Sequence, residues 1–434
     1  MSEVRLMTWN PGHFHAALVQ KETIAGVSPT VHVFAPLGPD LLAHLGRISG
    51  FNARRHHPTN WELEVHTSED SLARMLEQRP GNVVVVSGRN RGKIDAIVAA
   101  LEAGLHVLAD KPWVIDPNDL PKLARALDLA KAKRLVALDI MTERFEVTTL
   151  LQRALIHDAE VFGGIDPGTP DRPGVFMESE HYLYKYVAGV PLRRPPWFFD
   201  VEQQGEGLSD VGTHLVDLVP WMLFPGQAIG VEEIQLGRAT RAPTVLSRSN
   251  FQRVTGEADF PPNFAARLVS GQLRYHCNTT LGYALRGVHV WLNIGWSFEA
   301  GPKQGDRHFA RFAGSRAAVE VRQGEAEQFR PEVYVVPREP AEAAEIGAAL
   351  TRLLERESTR FPGVRLEQEG KNFRLEIPER LRVGHEAHFG EVLRLFLNYR
   401  LDPASVPAWE EANMNAKYHV TTLGVRLARQ ANAS

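Results

Sequence analysis

Three short stretches of this chain carry side chains able to do chemistry together. The first is Asp110-Lys111-Pro112, which follows a run that reads as a strand. Ligands on open α/β sheets bind beyond the carboxyl ends of strands, so Lys111 stands where an ammonium can reach a substrate oxygen. Pro112 stiffens that turn by fixing φ. A bare D-K-P tripeptide also fits an ordinary strand-end turn with a solvated lysine. The second stretch runs from Gly205 to Asp217. In a helix, Asp210, His214 and Asp217 are spaced four and three apart and share a face. A carboxylate beside an imidazole holds a base in one tautomer; the plainer reading is a polar helix face with a capping network. The third is Asn10-Pro11-Gly12-His13-Phe14-His15, between a strand and a helix, where a phosphate-binding turn would lie.

Those residues need a scaffold. Val4–Trp9, Thr30–Ala35, Trp61–His66, Asn82–Ser87, Leu105–Ala109 and Leu135–Leu138 read as strands. Helical patterns over Gly12–Ile24, Ser68–Glu77, Lys93–Ala103 and Pro117–Lys131 alternate with them. The four consecutive valines Val83 to Val86 suit a strand covered on both faces. This order predicts a doubly wound parallel sheet of Rossmann type over residues 1–142. The rhythm then changes. One helix over Arg144–His157 leads into Pro- and Gly-rich stretches, a helical block at Gly205–Phe224 and a series of strand-like runs between Phe264 and Val336. Helices follow at Ala341–Glu357, His385–Tyr399 and Asn413–Arg429. Residues 143–434 therefore read as an α+β domain with an open, mostly antiparallel sheet.

Composition narrows the partners. The chain has 434 residues, 44% hydrophobic and 23% charged, with 49 basic against 52 acidic residues. That length holds two or three domains at ~150 residues each. A net charge of −3 without basic blocks argues against nucleic acid or a membrane surface as partner. The single cysteine, Cys277, permits no intrachain disulfide. With no apolar run of spanning length and no leader pattern, the expectation is a cytoplasmic protein.

In combination the motifs resemble the Gfo/Idh/MocA oxidoreductases, relatives of glucose–fructose oxidoreductase and inositol dehydrogenase. The family pattern A-x-x-A-L-x-A-G-x-H-V-x-x-E-K-P is similar to Ile97 through Pro112, with Asn90 upstream. The later G-G-G-x-x-x-D-x-G-x-H-x-x-D resembles Gly205 to Asp217. Trp197-Phe198-Phe199-Asp200 looks like W-x-F-D, and Arg311 to Ser315 resembles a late strand turn of the family. The resemblance implies NAD or NADP as cofactor, a small-molecule carbohydrate substrate and a homo-oligomer, dimer or tetramer. It implies Lys111, His214 and Asp210 as catalytic residues, His214 being the acid/base. Trp9, Gly12, His13, Phe14, His15, Asn90 and Lys111 would line the cofactor. His181, Tyr184, Arg193, Arg194 and Asp217 would contact substrate. The main reading assigns no metal.

Departures mark an atypical branch. Met7 and Trp9 occupy the first two positions of G-x-G-x-x-G, and only Gly12 remains. Ala35-Pro36 stands where the ribose-binding acid is expected, and Asp40 follows as its substitute. Asp110 replaces a glutamate, Glu206 a glycine and Lys93 a histidine. The expected reaction is oxidation of a secondary hydroxyl. One alternative is redox-neutral glycoside cleavage through a transient keto-sugar with a tightly held NAD. Another is a metal-dependent lyase or epimerase using Asp210, His214, Asp217, His181 and Glu178, with His385-Glu386-Ala387-His388 a weaker metal motif. A third is a sugar-binding protein without turnover.

Overall fold

The computed structural model describes residues 3–187, 190–301 and 304–431. The chain divides into two compact units, each assembled from three segments. The first joins Met1–Thr142, Trp197–Gly205 and Gly384–Thr422; the second joins Glu143–Pro196, Glu206–Val383 and Leu423–Ser434. The single cut expected after residue 142 is thus the first of several crossings. Two later stretches placed in the second domain by sequence pack with the first.

In the first unit six parallel strands form one sheet: β1 (Leu6–Trp9), β2 (Thr30–Ala35), β3 (Glu62–Thr67), β4 (Val83–Val86), β5 (His106–Asp110) and β6 (Ala137–Ile140). Their order is β3-β2-β1-β4-β5-β6. The order reverses between β1 and β4, the switch point at which such sheets bind ligands. The helices are α1 (His15–Leu18), α2 (Pro39–Ala53), α3 (Ser71–Gln78), α4 (Lys93–Glu102), α5 (Leu120–Ala132), α7 (Val201–Gln204), α11 (His388–Leu401) and most of α12 (Ala408–Ala431). Val84, Val86, Ile97, Leu101, Val107, Trp113 and Leu123 are buried in one core cluster, which Met414 and Tyr418 of α12 complete.

Two differences from the sequence reading have clear causes. The first helix is a single turn, not Gly12–Ile24. Trp61 Nε1 donates to Gln20 O and Arg54 Nη2 to Lys21 O, so tertiary partners take carbonyls that a longer helix would use. The helix α2 escaped notice, although Pro39 opens it and Asp40 lies in its first turn.

The second unit carries α6 (Val147–Ile156), α8 (Gly207–Leu223), α9 (Arg248–Thr255) and α10 (Ala343–Arg356). Its strands are β7 (Val175–Tyr184), β8 (Tyr186–Val187), β9 (Val190–Pro191), β10 (Ile234–Leu246), β11 (Leu268–Val269), β12 (Gln272–Leu285), β13 (Val288–Glu299), β14 (Arg307–Ala313), β15 (Ala317–Gln323), β16 (Glu332–Pro337), β17 (Arg365–Glu369) and β18 (Asn372–Glu376). Ten make one sheet along β10-β12-β13-β7-β14-β15-β16-β18-β17, with β11 on β12. Only the β13–β7 pair is parallel. Alternation along β7 sends Ser179 and His181 to one face and Glu178 and Glu180 to the other. Ser179 pairs with Ile294 in register. A Cβ on Gly212 of α8 would touch Ile294 Cδ1 at 3.5 Å, so α8 covers the Ser179 face. No helix among the described residues is long and apolar enough to cross a membrane.

Candidate functional site

At the carboxyl end of the parallel sheet, β1 and β4 approach so closely that glycine is required. A Cβ on Gly88 would lie 2.4 Å from Asn10 O and 3.3 Å from Gly12 N. Asn10 itself turns through φ +46°. Gly12 N–H donates to Asn10 O at 2.7 Å, and His13 N–H to Ser87 O at 3.2 Å. Two amides of this turn are therefore bound within the fold. A Cβ on Gly12 would sit 3.1 Å from Asp40 Oδ2 and 3.3 Å from the Trp197 ring. Trp197 Nε1 donates to that carboxylate at 3.1 Å, and Arg89 pairs with it at 3.1 Å. The acid that sequence offered as a substitute ribose anchor does stand beside the turn.

The imidazoles of the turn reach inward to β5. His15 Nδ1 lies 3.0 Å and His13 Nδ1 3.3 Å from Asp110 Oδ2. Ser87 Oγ donates to the same oxygen at 3.0 Å. Burial outweighs the attraction of Asp110 and pushes the His15 imidazole down to about 3, so its ring is neutral at neutral pH. Burial raises the Asp110 carboxyl, but the two adjoining imidazoles outweigh it and hold it well below the usual carboxylate range. Phe14 packs against both rings, tilted on His13 at a centroid distance of 4.6 Å and edge-on to His15 at 4.5 Å.

Next along β5 comes Lys111, buried, with Pro112 fixing the following turn. Asn90, beyond β4, gives its Nδ2 to Gln204 O at 2.7 Å and receives Lys93 Nζ on Oδ1 at 2.6 Å. Lys93 Nζ also donates to Asp110 O at 2.9 Å and is 1% exposed. The lysine noted only as a departure is thus a buried cross-brace between the ends of β4 and β5. Trp9, at the carboxyl end of β1, donates its indole N–H to Ser71 Oγ at 3.2 Å and packs against the core cluster while staying partly exposed.

The second unit brings its own cluster together beneath α8. His181 Nε2 is 2.8 Å from Ser179 Oγ, and its Nδ1 is 3.1 Å from Asp306 Oδ2. Lys185 Nζ reaches the same carboxylate at 2.5 Å. Burial acts upward on Asp306, but His181 and Lys185 bring it down to about 2. A proton on Nδ1 facing Asp306 leaves Nε2 as an acceptor. Ser179 sits mid-strand with its neighbours paired on both sides, so no oxyanion hole of free amides faces it. The chain suits proton handling by His181 rather than a serine nucleophile. Trp296 lies 5.0 Å from the His181 ring, with the Arg194 guanidinium 5.1 Å above it. Arg194 donates to Leu183 O, and burial lowers its pKa while Asp210 acts back upward. Asp210 and His214 follow one another by a turn of α8, as their spacing predicted.

Other expected substrate contacts have structural employment. Asp217 is 1% exposed, and both its oxygens take Arg144, at 2.7 Å each. Arg193 donates to Gln252 O and Arg253 O and so caps the end of α9. Tyr184 borders Tyr186 and lies under Arg253, whose guanidinium is 4.4 Å from its ring centroid. Glu178 accepts from Asn293 on the opposite face from His181, so these two members of the alternative metal set of Asp210, His214, Asp217, His181 and Glu178 do not converge. Glu206, standing for a glycine, is paired with Arg241 and Arg429 inside this unit. Asp306 went unnoticed in the sequence because it lies 125 residues from His181 with no local signature.

A six-stranded switch-point sheet joined to an open, mostly antiparallel sheet defines an oxidoreductase architecture of the Gfo/Idh/MocA kind. Residues 151–429 match the family described as "Putative oxidoreductase C terminal domain", and the chain belongs to that family. It is similar to a Parabacteroides merdae protein of known structure, described as a "putative oxidoreductase". The two are 41% identical over 99% of this chain and 98% of that one, with a TM-score of 0.96. The fold is shared with KijD10, a 3-ketoreductase from Actinomadura kijaniata solved with NADP and TDP-benzene. There the identity is 15%, over 98% of this chain and 97% of that one, and the TM-score 0.56. It is shared too with the WlbA dehydrogenase from Bordetella pertussis, solved with NADH and UDP-GlcNAcA. That match has 12% identity, covers 99% of this chain and 96% of that one, and has a TM-score of 0.57. No curated protein sequence matches this chain.

Proposed function

We propose that this oxidoreductase uses NAD or NADP to oxidise or reduce a secondary hydroxyl carbon of a sugar, a cyclitol or a derivative of one. The observation that carries the reading is the switch point itself: the turns after β1 and β4 meet at Gly88, and Lys111 directly follows the neighbouring strand. The residues fit a dinucleotide. Gly12 opens the turn, Asp40 offers a carboxylate for ribose hydroxyls, and Asn90 and Lys111 stand at the nicotinamide end. When bound, the nicotinamide supplies the hydride acceptor or donor. Two proteins of the same fold support the reading: KijD10, a 3-ketoreductase solved with NADP and TDP-benzene, and the WlbA dehydrogenase, solved with NADH and UDP-GlcNAcA.

The protein's own groups do the rest. Lys111 supplies a fixed positive charge that stabilises alkoxide character on the reacting oxygen. His214 exchanges the hydroxyl proton, imidazole being the side chain that ordinarily serves as a general acid or base in enzymes. Asp210 orients the substrate with Arg194 beside it. His181 and the Trp296 ring offer a hydrogen-bonding group and an apolar platform for a sugar. Losing a positioned acid/base group costs ~10²–10⁴-fold in rate. The test begins by denaturing the purified protein and identifying any released nucleotide by mass spectrometry. Turnover on a panel of sugars and cyclitols is then compared for wild type, Lys111→Met and His214→Asn. At least about 100-fold loss is expected in each; if both stay within about threefold, the assignment is wrong.

A redox-neutral variant has one observation in its favour. Trp197 and Arg89 both hold the Asp40 carboxylate beside the turn, contacts suited to a nucleotide that stays bound. Counting nucleotide consumed per product separates the readings, because cleavage through a transient ketone returns the hydride and consumes none.

A further inference from the structure

His13 and His15, set beside the cofactor by the family resemblance, also form with Asp110 a tight group that lining a cofactor does not explain. Their ligand-capable atoms all lie within 4.8 Å of one another. Both Nδ1 atoms converge on Asp110 Oδ2, at 3.3 and 3.0 Å. The two rings stand nearly perpendicular, at 89°, with centroids 4.1 Å apart. Ligands about 2.0–2.1 Å from a tetrahedral zinc sit roughly 3.3 Å from each other. The nitrogen–oxygen separations are those of neighbouring corners of such a shell.

Hydrogen bonding alone accounts for the group incompletely. His15 and Ser87 already approach Oδ2 with hydrogen-bond geometry. His13 Nδ1 points at the same crowded oxygen, yet it is buried with no hydrogen-bond partner among the described residues. Asp110 Oδ1 is likewise buried and unpartnered, on a residue 3% exposed. Buried polar atoms are normally satisfied, and each exception calls for an explanation such as an ion. Two imidazole nitrogens with one carboxylate oxygen select zinc and its transition-metal neighbours over magnesium or calcium. Three protein ligands leave one tetrahedral position for water or a substrate oxygen.

We propose that His13, His15 and Asp110 bind one divalent transition-metal ion, zinc foremost, and keep one coordination position open. The ion would tie the β1–α1 turn to the end of β5, one residue from Lys111. The proposal stands apart from the identity of the nucleotide or substrate.

The full-length protein is stripped with a chelator, dialysed and titrated with Co²⁺ alone. One equivalent should bind, with the intense visible absorption of four- or five-coordinate cobalt, and Zn²⁺ should displace it. A second group, His32, Glu64 and His66, could also take added metal. His66→Asn should therefore keep the cobalt spectrum, and His13→Gln and His15→Gln should each weaken binding at least tenfold. Asp110→Asn, close in shape, should do the same while circular dichroism reports an unchanged fold. Wild-type protein that takes up less than half an equivalent, or shows only the faint spectrum of octahedral cobalt, overturns the proposal without any variant. So does a spectrum that survives His15→Gln and disappears with His66→Asn.

Discussion

His181 holds a serine hydroxyl with one nitrogen and a carboxylate with the other, so its protonation is directional. With Nδ1–H committed to Asp306, the free electron pair sits on Nε2. Changing Asp306 to Asn offers an amide in place of the carboxylate and removes the preference for that tautomer. We expect Asp306→Asn to lower kcat by about 10- to 100-fold, within the range of positioned acid–base effects. KM should change little, and the pH profile of kcat should shift. Unchanged kcat with raised KM would instead make Asp306 a plain substrate contact. Cys277 is a different case: burial pushes its thiol up to about 12, which keeps it protonated and inert.

Helix α8 shows what spacing reveals and what it conceals. The rows at Asp210, His214 and Asp217 were readable as one helical face, and the helix formed as expected. What the third member does was not readable, because its partner Arg144 lies 73 residues away. Removing one member of a buried bidentate pair leaves an uncompensated charge and costs about 3–5 kcal/mol. Arg144→Met should therefore depress stability by that order in denaturant titration. Adding Asp217→Leu should recover much of the loss, since an apolar pair of similar volume avoids both desolvation costs. The same logic sorts the remaining elements. Strands announced by β-branched runs, such as Val83–Val86, were legible because burial on both faces forces that composition. The helix α1 was overestimated because carbonyls at Gln20 and Lys21 are claimed by residues far along the chain. Of the candidate site, the groupings set by local spacing, at Asp110-Lys111 and on α8, were legible. The rest was illegible where strands bring distant residues together, as with His181 and Asp306.

Across the molecule, several histidines are carried as neutral rings. His44, His106, His276 and His308 are each pushed down to about 4, with burial the largest cause. In the unfolded chain they protonate near 6.5. Their contribution to stability is complete above pH 6.5 and is lost as pH falls from 6.5 through 4, where the folded forms must at last charge. His44 is 1% exposed, and neither ring nitrogen has a hydrogen-bond partner among the described residues. Its share of the acid destabilisation is on the order of 3 kcal/mol. Thermal melts of His44→Leu between pH 4 and 7 should show a flatter decline than wild type; parallel curves would refute this.

The segmented build of the first unit has its own consequence. Asp139 at the end of the parallel sheet is buried, and its carboxylate receives Tyr418 Oη at 3.0 Å and Lys417 Nζ at 2.6 Å. A fragment of residues 1–142 lacks both partners of that carboxylate and the α12 side chains of the core, and it should remain unfolded by amide-proton dispersion. On the ribosome, the parallel sheet is translated before α12 and cannot lock until that helix emerges. A chaperone that shelters the early product has nearly three hundred further residues of elongation to wait through.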